Sequence, residues 1–477
     1  MSAHPITHPP HPYLQGQAME DNRLIRRTDG LRGVLPASPP RAREGLQTFD
    51  ALESAVRSYC RAFPVVFTRA SGALLTDENG REYVDFFAGA GTLNYGHNPS
   101  FLKEKVVEYL AGDGILHGLD LATAAKRAFL ERFDAVVLKP RGLEYRIQFP
   151  GPTGTNAVEA ALKLARKATG RRTVAFFANA YHGMTLGALA VTGNASKRRG
   201  AGVPLHDTVS LPYDGDLGPG MDTLDVFEAL LRNSGSGVEL PAAVIVETVQ
   251  AEGGVKVAGW AWLRRLEQLC RAHGVLLIVD DIQTGCGRTG PFFSFEPAGI
   301  TPDLVCLSKS ISGIGLPMAL VLIRPELDVW SPGEHNGTFR GNNLAFVTAA
   351  ATLDYWEHDG LTRAVAANSD LIRARLQSWA DAHPALGATV VGRGMILGIR
   401  FADPEMASRI SAGAFARGVI VETAGPNDEV LKLIPPLTIP DGLLALGLSR
   451  IEAALEEAVS QDLEAASAPL AMDAQWA

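Results

Sequence analysis

Hydrophobic positions change their rhythm along this chain, and the changes outline its elements. Phe49, Leu52, Val56 and Tyr59 recur at helical spacing, which predicts an amphipathic helix over 48–60. Apolar runs at 65–67, 73–75 and 83–87 alternate with turn residues such as Glu78-Asn79-Gly80 and read as short strands. Helices are predicted over 101–109 and 123–133. From about Phe149, strands and helices take turns. Helices over 156–168, 224–231 and 261–272 alternate with strands over 174–177, 242–247 and 275–280, and further strands follow at 304–307 and 319–323. This repetition predicts an α/β fold around a largely parallel, doubly wound sheet. Such sheets bind ligands at the carboxyl ends of their strands, and Glu247, Asp280 and Lys309 each lie at or just beyond such an end.

Past Asn342, helices over 344–356 and 364–382 lead to strands at 390, 396–401, 419–422 and 431–434, and a helix over 443–458 closes a smaller α/β domain. The expected organisation is a flexible arm (1–46), the first part of a small domain (47–100), a large domain (101–341), the rest of the small domain (342–461) and a frayed tail (462–477). Composition changes this picture little: 46% hydrophobic and 20% charged residues are ordinary for a soluble protein. The net charge of -8 is spread out, which argues against a nucleic-acid partner. No apolar run reaches membrane-spanning length, and the His-, Pro- and Arg-rich first 45 residues lack the apolar core of a secretory signal. Cys60, Cys270, Cys286 and Cys306 form no CxxC pair, which fits free thiols in the cytoplasm. No metal site is expected.

Lys309 stands apart from the other lysines. An apolar run delivers it into small residues, Ser308 and Ser310 to Gly315, with no charge close by in sequence. Desolvation lowers an amine's pKa and makes it nucleophilic, as an imine-forming lysine requires; a strand-end lysine reaching to solvent is the plainer alternative. Asp280 follows four apolar residues, and a buried carboxylate wants a cation. A protonated pyridine nitrogen or the nearby Arg288 would serve. Gln283 can reach a phenolic oxygen, and Tyr181, just before His182, offers a ring face for stacking. Pro150-Gly151-Pro152-Thr153-Gly154-Thr155 opens a helix whose first N–H groups attract an anion, and Thr155 adds a hydroxyl. Each feature alone suits a structural role. Together they are the parts that bind pyridoxal 5'-phosphate.

The runs IVDDIQTGCGRTG (278–290), LSKSISGIGLP (307–317), FPGPTGTNAVEAALKLAR (149–166), YHGMTLGALAVTGN (181–194), ETVQAEGG (247–254) and NGTFRGNN (336–343) resemble those of class III pyridoxal-phosphate aminotransferases, over about residues 52–451. The resemblance implies a fold-type I transferase, with a large mixed-sheet domain and a smaller α/β domain from both chain ends. It implies that Lys309 holds the cofactor and shuttles a proton, that Asp280 pairs with the pyridinium, and that Gln283 lies near the ring hydroxyl. Gly154 and Thr155 would bind phosphate, Tyr181 would stack on the ring and His182 would sit beside it. Thr338 would reach the phosphate of a partner subunit, in a homodimer or a dimer of dimers.

The implied reaction moves an amino group from L-glutamate to L-aspartate 4-semialdehyde, giving 2-oxoglutarate and L-2,4-diaminobutyrate. Another ω-amine or amino donor, a fold-sharing decarboxylase or aminomutase, and a degenerate scaffold are the alternatives. Met184 stands where ornithine transaminases carry an arginine. Glu252 would be a gate carboxylate whose arginine partner precedes a Gly-x-Gly, yet here Val391 precedes Gly392-Arg393-Gly394. Arg393 and Arg340 are the substitutes. On a regular strand Arg393 shares a face with Val391 but lies roughly 7 Å along it, so a bulge would be needed. Without one, glutamate and 2-oxoglutarate are expected to bind more weakly than in relatives, or another partner such as alanine to be preferred.

Overall fold

The structure, a computed structural model, describes residues 45–467; all but the last two residues of the expected arm and most of the expected tail lie outside them. Strands β1 (Phe67–Ser71), β2 (Leu74–Asp77) and β3 (Glu82–Asp85) form an antiparallel meander. Next along the chain come β4 (Arg146–Gln148), β5 (Val174–Phe177), β6 (Thr208–Leu211) and β7 (Ala243–Val246). A short hairpin, β8 (Val249–Gln250) and β9 (Lys256–Val257), precedes β10 (Leu276–Asp280), β11 (Leu304–Leu307) and β12 (Leu320–Ile323).

Seven of these strands make one sheet in the order β4-β12-β11-β10-β7-β5-β6. β12 alone runs against its neighbours, pairing antiparallel with both β11 and β4. The link 308–319 contains no crossover α-helix, and a parallel return needs one. The sheet is therefore mixed. Every residue of β5, β7, β11 and β12 is buried, as their unbroken apolar runs require. The helix Gly154–Thr169 covers one face with Val158, Ala161, Leu162 and Ala165. The helix Trp260–His273 covers the other with Leu263, Leu266 and Cys270. Each large apolar side chain buried this way contributes about 1.5–3 kcal/mol.

The last strands are β13 (Thr389–Arg393), β14 (Ile396–Arg400), β15 (Val419–Ile420), β16 (Glu422–Ala424) and β17 (Val430–Leu433). Four of them form an antiparallel sheet, β13-β14-β17-β16, whereas β15 adds in parallel to β3. That pairing joins the two ends of the chain. Arg288 reinforces the junction: its fully buried guanidinium donates to Met395 O at 2.9 Å, Pro435 O at 2.6 Å and Asn94 Oδ1 at 2.6 Å. It is thus engaged away from Asp280, for which it had been one possible partner.

Three departures from the sequence pattern have physical causes. The helix expected over 48–60 is broken into Gln47–Leu52 and Tyr59–Ala62, with Leu52 and Val56 83% and 88% exposed. Of its apolar stripe Tyr59 packs on the Phe87 ring at 4.8 Å, while Leu52 and Val56 stay open among the described residues, and packing supplies most of a helix's stability. The helix expected over 344–356 is α-helical over Asn343–Thr352 and then tightens to 3₁₀ over Leu353–Trp356. The edge strands β4 and β6 and the β8–β9 hairpin are too short to show a period. Among the described residues, no helix is long and apolar enough to cross a membrane.

Candidate active site

Four neighbouring strands, β11, β10, β7 and β5, deliver their carboxyl ends to one place. Register sets the alignment: Asp280 lies opposite Cys306, and Val279 opposite Val246, so Glu247 emerges beside Asp280. Lys309 follows β11 and the segment Tyr181-His182 follows β5.

Lys309 has φ +52°, the left-handed region that side-chain-bearing residues avoid at a cost on the order of 1 kcal/mol or more. Its flanking serines hold it there. Ser308 Oγ donates to Met318 O at 2.8 Å, and Ser310 Oγ donates to Gly91 O at 2.6 Å. Gly313, at φ +79°, has no room for a side chain, since a Cβ would come 1.8 Å from Thr352 Oγ1. Burial lowers the Lys309 pKa; Glu252 opposes that shift and Lys432 adds to it.

Asp280 is only 5% exposed. Its Oδ2 accepts from His182 Nδ1 at 2.7 Å and its Oδ1 accepts from Ile282 N at 3.2 Å. Burial disfavours a charged His182 ring, but the hydrogen bond and charge of Asp280 outweigh it and leave the imidazole pKa raised. His182 Nε2 is buried and, among the described residues, has no hydrogen-bond partner. The adjacent Asp281 faces other groups: Thr284 Oγ1 donates to Oδ1 at 2.7 Å and Ser294 N to Oδ2 at 2.9 Å. Glu247, also buried, accepts from Tyr181 N at 3.0 Å, and burial pushes its pKa up to about 8. Lys197 Nζ lies 4.3 Å from the centre of the Tyr181 ring, within cation–π range.

At the start of the helix Gly154–Thr169, the amides of Gly154 and Thr155 have no partner within the helix. Thr153 Oγ1 donates to Asn156 Oδ1 at 2.8 Å and fixes the turn. Thr155 Oγ1 and Thr185 Oγ1 are 2.6 Å apart, and Gly183, at φ +131°, stays bare because a Cβ would lie 2.4 Å from Thr155 Oγ1. A Cβ on Gly154 would touch Ile282 at 3.1 Å, so this cradle abuts the Asp280 segment. Gln283 Nε2 donates to Ala90 O at 2.7 Å, leaving its Oε1 buried with no hydrogen-bond partner among the described residues.

The expected substrate residues are rearranged. Strands β13 and β14 pair without a bulge, from Thr389 opposite Arg400 to Arg393 opposite Ile396. Arg393 therefore stays in register: its Nη2 donates to Thr248 Oγ1 at 3.0 Å and its guanidinium lies 3.9 Å from the Trp260 ring centre. Glu252 is not left alone. Its Oε1 accepts from Lys432 Nζ at 2.7 Å, and Lys432 also pairs with Glu422 at 3.0 Å. Arg340 donates to Asn336 Oδ1, and the exposed Thr338 accepts from His117 through its carbonyl; neither meets the 150–155 loop. Lys432 and Glu422 were missed because Val-Leu-Lys-Leu reads as an ordinary strand, and only strand register reveals what its lysine faces.

Comparison with known proteins gives a consistent answer. The family model described as aminotransferase class-III matches residues 56–455. The diaminobutyrate–2-oxoglutarate transaminase of Bordetella parapertussis is 57% identical over 423 residues, covering 88% of this chain and 97% of its own. That of Nocardia farcinica is 58% identical over 409 residues, covering 86% and 93%. The ornithine aminotransferase structure from Toxoplasma gondii superposes with a TM-score of 0.74 at 26% identity, covering 87% of this chain and 94% of that one.

Aminotransferases of class III use pyridoxal phosphate, and the residues here fit it. Free amides at a helix start suit a phosphate, the unpartnered Gln283 oxygen suits a ring hydroxyl, and Asp280 suits a pyridinium. By sequence over most of its length, by fold and by the fit of this site, the chain belongs to the class III aminotransferases.

Proposed function

We propose that this enzyme transfers the amino group of L-glutamate to L-aspartate 4-semialdehyde, forming 2-oxoglutarate and L-2,4-diaminobutyrate. Near full-length likeness, at 57–58% identity, to transaminases named for that product carries the reading. Bound pyridoxal phosphate supplies an electrophilic carbon and an electron sink for the pair released when a substrate C–H bond breaks. Lys309 would hold the cofactor and move the proton at its Nζ, a task suited to an amine whose pKa burial has lowered. Asp280 would keep the ring nitrogen protonated, steadied through Oδ2 by the donor at His182 Nδ1. Gly154 and Thr155 would anchor the phosphate, Gln283 the ring hydroxyl and Tyr181 the ring face.

The same reading assigns 101–341 to a large cofactor-binding domain and 47–100 with 342–461 to a small one; the β3–β15 pairing between the chain ends supports it. It also makes the protein a homodimer or a dimer of dimers. Ile115, Leu116, Leu121 and Phe339 are each more than half exposed, and the His117 ring packs 5.3 Å from Phe339, so two apolar segments share one open surface. A cytoplasmic location, supported by four free cysteines, completes the reading.

Supplied with L-glutamate and L-aspartate 4-semialdehyde, the holoenzyme should release 2-oxoglutarate and diaminobutyrate in equal amounts by mass spectrometry. A different amine product, or none, would overturn the assignment. Asp280→Asn, which removes the charge facing the ring nitrogen and His182, should lower turnover by roughly 100-fold or more; a near-normal rate contradicts its role. Light scattering should give a mass of at least two 50.8 kDa chains. A fully active monomer would refute the assembly.

A further inference from the structure

Thr155 and Glu159 are four residues apart on the helix Gly154–Thr169, so their side chains share one face. Against that face lies the segment that leads from His182 into the short helix Leu186–Ala190. Thr185 stands at the N-cap of this short helix. From there a threonine hydroxyl ordinarily accepts from the amides two and three residues on. It makes no such bond. Those amides, Gly187 N and Ala188 N, donate instead to Glu159 Oε1 at 2.9 and 3.0 Å. Thr185 Oγ1 donates to the same oxygen at 2.5 Å. Gly187 makes the approach possible, because a Cβ there would collide with the Glu159 carboxylate. Glu159 thus caps a helix to which it does not belong. The protons can then be counted. A carboxylate only accepts, and a hydroxyl has a single proton to give. Thr185 gives its proton to Glu159, so Thr155 is the donor in the 2.6 Å bond between Thr155 Oγ1 and Thr185 Oγ1. The Thr155 proton is therefore committed to Thr185. The groups left for an anion at this helix start are the amides of Gly154 and Thr155.

We propose that Glu159 is a positioning residue for the cofactor phosphate. It caps the neighbouring helix from outside and draws the hydroxyls of Thr185 and Thr155 toward itself. The 183–188 segment is thereby held against the helix start, and the start's amides are left to the phosphate. Glu159 acts only through Thr185, Thr155 and the amides of Gly187 and Ala188. The inference rests on the reading of Gly154 and Thr155 as the phosphate anchor, and it holds whichever amine the enzyme makes.

The test strips the full-length chain of cofactor and titrates back either pyridoxal phosphate or pyridoxal, which lacks only the phosphate. Absorbance of the bound chromophore gives both affinities for wild type, Glu159→Ala, Glu159→Gln and Glu159→Asp. Glu159→Ala should weaken pyridoxal phosphate by roughly tenfold or more and pyridoxal by less than about twofold, so the ratio of the two affinities falls. Glu159→Gln keeps an oxygen within reach of Thr185 and the two amides and should restore most of that ratio. If Glu159→Ala does not fold, Glu159→Asp decides. It keeps the charge but is a methylene too short to reach, and it should lower the ratio severalfold. An unchanged ratio in the alanine or aspartate variant overturns the positioning role. So does an equal loss for both ligands, which is general damage, or a glutamine variant as poor as the alanine one. A wild type that binds the two ligands equally overturns the phosphate anchor, and this inference with it.

Discussion

A charge buried inside a protein must find its counterpart there, and that constraint organises this molecule. Asp280 meets His182, Lys432 meets Glu252 and Glu422, and Arg288 meets two carbonyls and an amide oxygen. Breaking such a buried pair by removing one partner typically costs about 3–5 kcal/mol. The solutions fall into two kinds. Arg288 and Asp281 are engaged by groups of their own chain and tie elements together. Around Asp280 and Lys309, His182 Nε2 and Gln283 Oε1 remain buried without hydrogen-bond partners among the described residues, where a ligand could complete them.

Backbone strain is placed with the same economy. Lys309 takes a left-handed conformation between two serines whose hydroxyls bond to Met318, just before β12, and to Gly91, far from it in sequence. The large sheet and the N-terminal stretch thus hold the lysine jointly. A backbone fixed this way sets the point from which the Lys309 side chain departs.

Much of this was readable in the sequence, and the reasons are specific. Buried parallel strands have to be uniformly apolar, so β5 and β11 fall on the predicted residues, and Asp280 and Lys309 stand out as polar groups at the ends of such runs. Strand direction leaves no mark on an apolar pattern, so the reversal of β12 was not readable from residues alone. Helical spacing at 48–60 promised a packed helix, but spacing cannot say whether the chain provides a surface to pack on. Lys432 was hidden for a related reason. In a strand pattern a single lysine reads as the solvent side, and only the register of β16 and β17 puts it opposite Glu422, with Glu252 reaching it from the β8–β9 turn. The sequence did raise the right question, since the absence of an arginine at Val391 left Glu252 without an obvious cation.

The central claim is that the ends of four adjacent strands aim Lys309, Asp280 and their neighbours at one cofactor. Borohydride reduction of the holoenzyme followed by peptide mapping tests it most directly. The account predicts that the cofactor mass is fixed to the peptide containing Lys309, and that Lys309→Ala carries no such label. A label on any other lysine would contradict it.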